Sequence, residues 1–254
     1  MSLALALALL LAVLIGLSLG TLGSGGSIIT MPVLVYVAGI PAHTAVGMSL
    51  LIVGTTAAIG SALQARRAGF EVRAAAVFAT TGAVGAYVGA TLTHLVSGGA
   101  LMAIFAVLML IAGWRMLAPG APPTGPRTCS IPRCAGIGLP LGVLTGFLGI
   151  GGGFLIVPAL VLAAGLDMKR AVPTSLAIIA CNAAGGLAGQ LRYAAFDWAL
   201  TAAFLGFALV GMVGGSIVTR RVSGDSLRRG FAWAVIVLGA AILGFRALAR
   251  AGLS

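Results

Sequence analysis

Apolar runs follow one another almost end to end along the 254 residues, separated by short polar or glycine-rich clusters. A helix needs about 20 mostly apolar residues to cross roughly 30 Å of hydrocarbon. By that measure the runs predict long helices over 43–64, 70–95 and 100–117, then over 171–190, 196–219 and 227–249, with a further helix over 134–148. Before the first of these, an apolar helix extends to Leu22, is broken by glycines at 23–26, and gives way to a short apolar stretch over 27–39. Residues 154–165 form a comparable short stretch in the second half. About 13 residues of helix rise only about 20 Å, so both short stretches read as half-helices that cannot cross unaided. Residues 1–20 lack a basic leader and a small-residue cleavage site, and read as a retained helix rather than a signal peptide.

The two halves repeat each other. Residues 16–98 align without a gap on 142–224 at a constant offset of 126 (142 − 16). Matches of Ala, Gly and Leu are cheap in this composition. The weight rests on Pro32 with Pro158, Gln64 with Gln190, Arg66 with Arg192 and Phe70 with Phe196, and on Glu71 with Asp197, which keeps the acid. The chain therefore divides into a first repeat over 1–118, a Pro- and Gly-rich connection over 119–133, and a second repeat over 134–254.

Composition narrows the setting. With 60% hydrophobic and 7% charged residues the chain belongs in a bilayer, as a multi-pass protein. The net charge of +11 forms no basic stripe with interleaved aromatics, so it points to membrane topology rather than to nucleic acid. Arg66, Arg67 and Arg73 mark one loop of the first half, and Arg115, Arg127 and Arg133 mark the connection. In the second half the basic residues move to the other loops, with Lys169 and Arg170 in one and Arg220, Arg221, Arg228 and Arg229 in another. Arg192, Arg246 and Arg250 are a smaller opposing set. Equivalent loops thus prefer opposite sides, which predicts inverted topology with an odd number of crossings per half. The fold expected is an all-α membrane protein of two inverted-topology repeats, each carrying a glycine-broken, re-entrant half-helix.

Candidate chemistry is sparse. The four acids, Glu71, Asp167, Asp197 and Asp225, fall at or near expected loops, so no carboxylate is available inside a span for proton coupling. His43 and His94 lie near loops and have no counterparts at the repeat offset. Cys129, Cys134 and Cys181 indicate neither a metal cluster nor a disulfide framework, and no cofactor or metal is expected. The inventory lacks a nucleophile–base pair, so an enzyme is not expected either.

The sharpest features are the paired glycine runs over 20–27 and 146–153, each leading into a short apolar stretch. Irregular backbone at membrane depth is tolerated only inside protein or against a water-filled cavity, and such breaks at corresponding places in two halves mark a transporter's binding site. The first amides of a helix lack intrahelical acceptors and sit at the positive end of its dipole, so they hold an anion without a charged side chain. Gly23, Ser24, Gly25, Gly26 and Ser27 in the first half, with Gly149, Gly151, Gly152, Gly153 and Phe154 in the second, are the candidate substrate-binding residues. Ser49, its counterpart Ser175, and Thr174 offer hydroxyls, although such groups also bond back to their own helix. Asn182 is added because an unpartnered amide in hydrocarbon is costly. Gln64 with Arg66 and Gln190 with Arg192 stand near the far end of the same helix, where an arginine either reaches the interface or receives an anion. Gly16/Gly20, Gly85/Gly89 and Gly211/Gly215 are instead expected to let helices pack closely.

Gly149-Ile-Gly-Gly-Gly-Phe-Leu-Ile-Val-Pro158, Gly23-Ser-Gly-Gly-Ser-Ile-Ile-Thr-Met-Pro32 and Thr174-Ser175-Leu176 carry a resemblance. The chain resembles the TauE/SafE family of sulfite and organosulfonate exporters over both repeats. In the first half, Ser27 replaces the last glycine and Met48 stands where Thr would accompany Ser49. The resemblance implies a bacterial inner-membrane permease that moves small sulfur-containing anions, typically outward. A passive anion channel and a non-transporting membrane accessory protein are the alternatives. Expected partners are the small anionic substrate and the lipid bilayer, with homo-oligomerisation left open.

Overall fold

The computed structural model describes residues 3–23, 25–65, 71–117, 131–148, 153–162, 164–190, 196–218 and 222–250. These fold into ten α-helices, with no strand among the described residues. The first half holds α1 (Leu3–Leu22), α2 (Gly25–Pro32), α3 (Ala42–Ala65), α4 (Val72–Leu92) and α5 (Gly98–Leu117). The second holds α6 (Ile131–Leu148), α7 (Gly153–Leu162), α8 (Met168–Gln190), α9 (Trp198–Val218) and α10 (Gly224–Arg250). Among the described residues, α3, α4, α5, α8, α9 and α10 are long and apolar enough to cross a membrane, so the chain is a multi-pass membrane protein.

The half-helices are short for a local reason. α2 passes through one π turn, Val33–Val37, and both half-helices stop at a glycine in the left-handed region, Gly39 (φ 71°) and Gly165 (φ 70°). The amide of Ile40 donates to the Leu34 carbonyl, and Leu166 donates to Leu160. Each bond joins residues six apart, one more than in the usual glycine-ended helix stop, and satisfies a carbonyl of the last turn. The offset of 126 relates the two stops residue for residue (34 and 160, 40 and 166).

All four acids stand at helix N-termini: Glu71 occupies the N-cap position of α4 without a side-chain cap bond, Asp225 is in the first turn of α10, and Asp167 and Asp197 precede α8 and α9. The Asp167 carboxylate accepts from the Arg170 amide at 2.8 Å and that of Asp197 from the Leu200 amide at 3.0 Å. Negative charge there meets the positive end of the helix dipole and satisfies free amides. Arg228 works at the opposite polarity, its Nε donating to the Met116 carbonyl near the C-terminal end of α5 at 3.0 Å. Cys134 is disulfide-bonded, contrary to the expectation from cysteine spacing, while Cys181 is free and exposed.

Packing runs between the halves rather than within them. A Cβ at Gly16 would strike the Ala208 carbonyl and one at Gly20 the Met212 carbonyl, while Gly211 and Gly215 face the carbonyls of Val13 and Leu17. These contacts lock α1 beside α9. On the other flank, Gly142 and Gly146 of α6 face Gly82 and Ala86 of α4, and Gly85 and Gly89 of α4 face Leu139 and Val143 of α6. Every contact in the second list is the first shifted by 126. The expectation that these glycines are packing residues therefore holds, since absent side chains let two backbones meet.

The contact register also fixes direction. Along α1 and α9 the paired numbers rise together, as they do along α4 and α6, so both pairs are parallel. Gly54 meets Ala183 and Gly186 meets Leu50, so α3 and α8 are antiparallel; Gly113 meets Ala232 and Ile236 while Gly239 meets Ala106, so α5 and α10 are antiparallel too.

Candidate functional site

Six of the residues expected at the site, Ser24, Arg66, Gly149, Gly151, Gly152 and Arg192, lie outside the described residues, as does the side chain of Phe154. The others can be placed.

Gly23 has φ 74°, a conformation that side chains resist, and closes α1 through a 2.9 Å bond from its amide to the Leu19 carbonyl. A Cβ there would lie 2.8 Å from the Ser175 hydroxyl and 2.9 Å from the Val172 carbonyl. The glycine break of the first half therefore abuts α8 of the second, at one of the two serines singled out from the sequence. Gly25 and Gly26 open α2, and Gly26 lies so near the Ile15 carbonyl of α1 that a Cβ would collide with it. Ser27 is fully buried in the same turn, and Gly153 is the first residue of α7, the matching position. α2 and α7 touch each other.

The hydroxyl protons are already engaged. Ser49 donates to the Val46 carbonyl at 3.0 Å, Ser175 to Val172 at 2.7 Å and Thr174 to Arg170 at 2.7 Å. All three bond back to their own helix, and Thr174 also accepts from the Glu71 amide at 3.3 Å, tying the start of α4 to α8. In this arrangement the hydroxyls present lone pairs, and donors to an anion would have to come from backbone amides.

The two glutamines brace helix ends. Gln64 donates its amide to the Gly20 carbonyl at 3.3 Å and Gln190 to the Ala90 carbonyl at 3.2 Å. Both acceptors lie in the last turn of their helix, and the Ala90 carbonyl also accepts from the Thr93 amide. Asn182 is 1% exposed halfway along α8, its carboxamide against Gly82 of α4. Among the described residues its Oδ1 is the one buried side-chain oxygen or nitrogen without a hydrogen-bond partner. Thr56, its counterpart in α3, is satisfied by the Ile52 carbonyl at 2.7 Å.

A cavity of ≈ 280 Å³ opens between α3 and α8, bordered by Leu50, Gly54, Thr55, Ala58, Ala180 and Ala183 among others. Its walls are apolar apart from Thr55, which makes it a poor rest point for an anion. Among the described residues no group of three or more His, Cys, Asp or Glu could hold a metal.

Sequence reasoning missed two things here. One is that the glycine break of one half leans on the serine of the other, which requires knowing that the halves interlock. The other is the role of the acids as helix caps, for which their positions just before apolar runs were the available signal.

Residues 8–242 match the family model described as sulfite exporter TauE/SafE. A probable membrane transporter protein of Xylella fastidiosa strain Temecula1 is 33% identical over 242 residues, covering 90% of each chain. Two Bacillus subtilis strain 168 relatives, the probable membrane transporter proteins YdhB and YunE, are 29% and 25% identical over 76% and 83% of this chain and 82% and 88% of their own. No solved structure matches.

Proposed function

Starting from the fact that the chain belongs to the TauE/SafE sulfite exporter family, a family of multi-pass proteins of the bacterial inner membrane, we propose that it is a secondary transporter exporting small sulfur-containing oxyanions, sulfite or organosulfonates, by alternating access. The observation that carries this is the glycine break before a half-helix, at the same place in both halves of a bundle whose described spans carry no carboxylate beyond Asp225 in the first turn of α10. Helix N-termini in an acid-free interior suit anions and repel nothing.

We read the halves as inverted repeats. In support, α3 and α8 are antiparallel, as are α5 and α10, while α1 parallels α9 and α4 parallels α6. A two-fold axis in the membrane plane produces that set of directions. The directions place Arg73, Arg115, Arg133, Lys169, Arg170, Arg228 and Arg229 at helix ends on one side, and Arg246 and Arg250 on the other. By charge bias the richer side is cytoplasmic.

In this reading there are two half-sites, each composite. The amides of Gly25, Gly26 and Ser27 act with Ser175 and Thr174 of the other half, and by the repeat offset Gly153 and its neighbours act with Ser49. The hydroxyls contribute donors once they leave their own helix carbonyls. Gln64, Gln190 and Asn182 are secondary contributors.

Thermal stability of the purified protein against sulfite, sulfate, thiosulfate, taurine, sulfoacetate and simple carboxylates tests the substrate class, because a ligand that binds only the folded state raises the melting temperature. Stabilisation by sulfite or a sulfonate, with saturable flux of the same anion in proteoliposomes, is the expected result. Stabilisation by carboxylates alone would overturn the substrate class, and ohmic single-channel current would overturn the transporter in favour of a channel.

A further inference from the structure

Two equivalent seams in this molecule are not packed alike. Shifted by 126, the α4–α8 seam becomes the α9–α3 seam. α4 packs extensively on α8, whereas α3 meets α9 much less. The first seam is backbone on backbone. A Cβ at Gly185 would strike the Ala83 carbonyl, one at Gly189 would lie 2.7 Å from the Tyr87 carbonyl, and Gly82 receives the Asn182 carboxamide. The second seam has Ile59 and Leu63 where the first has Gly185 and Gly189, and Ala208 where it has Gly82. Ile59 is 39% and Leu63 41% exposed, and Gly60 faces the flexible end of Met212.

The glutamines follow the same division. Gln190, 4% exposed, reaches across its seam to Ala90 of α4. The counterpart of that bond would run from Gln64 to Ser216 of α9. Gln64 instead holds Gly20 of α1, although Gly20 and Ser216 are neighbours: a Cβ on Gly20 would be 2.8 Å from the Ser216 amide nitrogen.

We propose that the α3–α9 seam is the one that opens and closes during transport, with Gln64 trading the Gly20 carbonyl for that of Ser216, while α4–α8 stays shut as a fixed seam. Glycine seams hold only at close approach, since a small gap forfeits dispersion between backbones with no side chain to follow. Met212, unbranched with three rotatable bonds, fills gaps of varying width, and Ile59 and Leu63 keep side-chain atoms in the seam where glycines would leave none. Movement is thus confined to the arginine-rich side, where α3 and α9 end. The two repeats do not simply exchange conformations, because their seams differ in composition. This inference rests on the transporter reading above.

The test uses spin labels on matched exposed pairs in a cysteine-free background: Ala62→Cys with Val213→Cys across α3–α9, and Tyr87→Cys with Ala188→Cys across α4–α8, in lipid nanodiscs. The expected result is two distance populations for the first pair and one for the second, with sulfite shifting only the first pair's ratio. Single populations at both pairs, or equal shifts at both, overturn the proposal. The distances need no substrate, so the two readings fail separately. Saturable sulfite flux with a rigid α3–α9 pair sinks the moving seam alone, whereas two populations without flux of any sulfur oxyanion sink the transporter reading alone.

Discussion

Gly89 and Gly215 give a sharp test of the packing argument, because they occupy equivalent places in seams that pair different halves. Gly89 faces the Val143 carbonyl with the Phe147 amide nitrogen 2.8 Å from where a Cβ would sit, and Gly215 faces the Leu17 carbonyl with its carbon at 3.0 Å. Carbon–carbon contact is comfortable near 3.5–4.0 Å, so an alanine forces the helices apart by roughly 1 Å, a gap that forfeits a quarter to a half of the dispersion well along the crossing. Overpacking of this kind costs about 1–3 kcal/mol, offset by about 0.5–1 kcal/mol from replacing a helical glycine. Gly89→Ala and Gly215→Ala are each expected to destabilise by about 1–2 kcal/mol, a fall in melting temperature of roughly 2–8 °C for a protein of this size. Gly214→Ala is the control. It lies one residue from Gly215, a Cβ there meets nothing, and the substitution is expected to leave stability unchanged or raise it slightly. Thermal melts of the three variants and of the Gly89→Ala/Gly215→Ala double variant decide the matter, with the double expected to be additive within about 0.5 kcal/mol. If Gly89→Ala melts like wild type, or if the two seams respond with opposite sign, the equivalence argued here is wrong.

Other expectations follow from single residues. Replacing Gln190 by Leu removes the side-chain bond across the α4–α8 seam, leaving the Ala90 carbonyl with the Thr93 amide alone, and is expected to cost about 0.5–1.5 kcal/mol, more than Gln64→Leu at its half-buried site, by thermal melt. Asn182→Ala is expected within about 1 kcal/mol of wild type, because the amide it removes has an unpartnered oxygen; a loss of flux with the melt intact marks a role in transport, while a large loss of stability refutes the view that Asn182 adds little to packing. Asp197→Ala removes the cap on the Leu200 amide and is expected to lower stability by about 1 kcal/mol without changing substrate affinity.

The duplication, the long helices and the half-helices were all legible in the chain, because each rests on a local property: run length, a fixed offset, a glycine cluster. Residues 27–39 were expected to be short, and α2 with its π turn ends at Val37 before the left-handed Gly39. The start of α8 was placed at 171 and lies at Met168, because Asp167 caps the helix earlier than its apolar run begins. Partner choice was not legible. The spacing of Gly16 and Gly20 says that a close neighbour exists, but not that it is α9. The same limit applied to the candidate site. The serines were identifiable as polar groups in apolar runs, yet that Gly23 leans on Ser175 depends on how two distant segments cross. Gln64 and Gln190 were expected as second-line contributors because each recurs beside an arginine at the repeat offset, and sequence cannot tell a helix-end carbonyl from a substrate.

The interlocking of the halves governs how the protein can be made. Gly16 waits for Ala208, 192 residues later (208 − 16), before its face has a neighbour. At a synthesis rate of about 5–20 residues per second, that is roughly 10–40 s during which α1 lies in lipid with a strip of exposed backbone. α4 finds α6 after only about 60 residues, so the molecule assembles from its middle outward, and α1 docks among the last. A chain that stops before α9 leaves α1 an orphan for quality-control proteases to find, however well the first half has inserted.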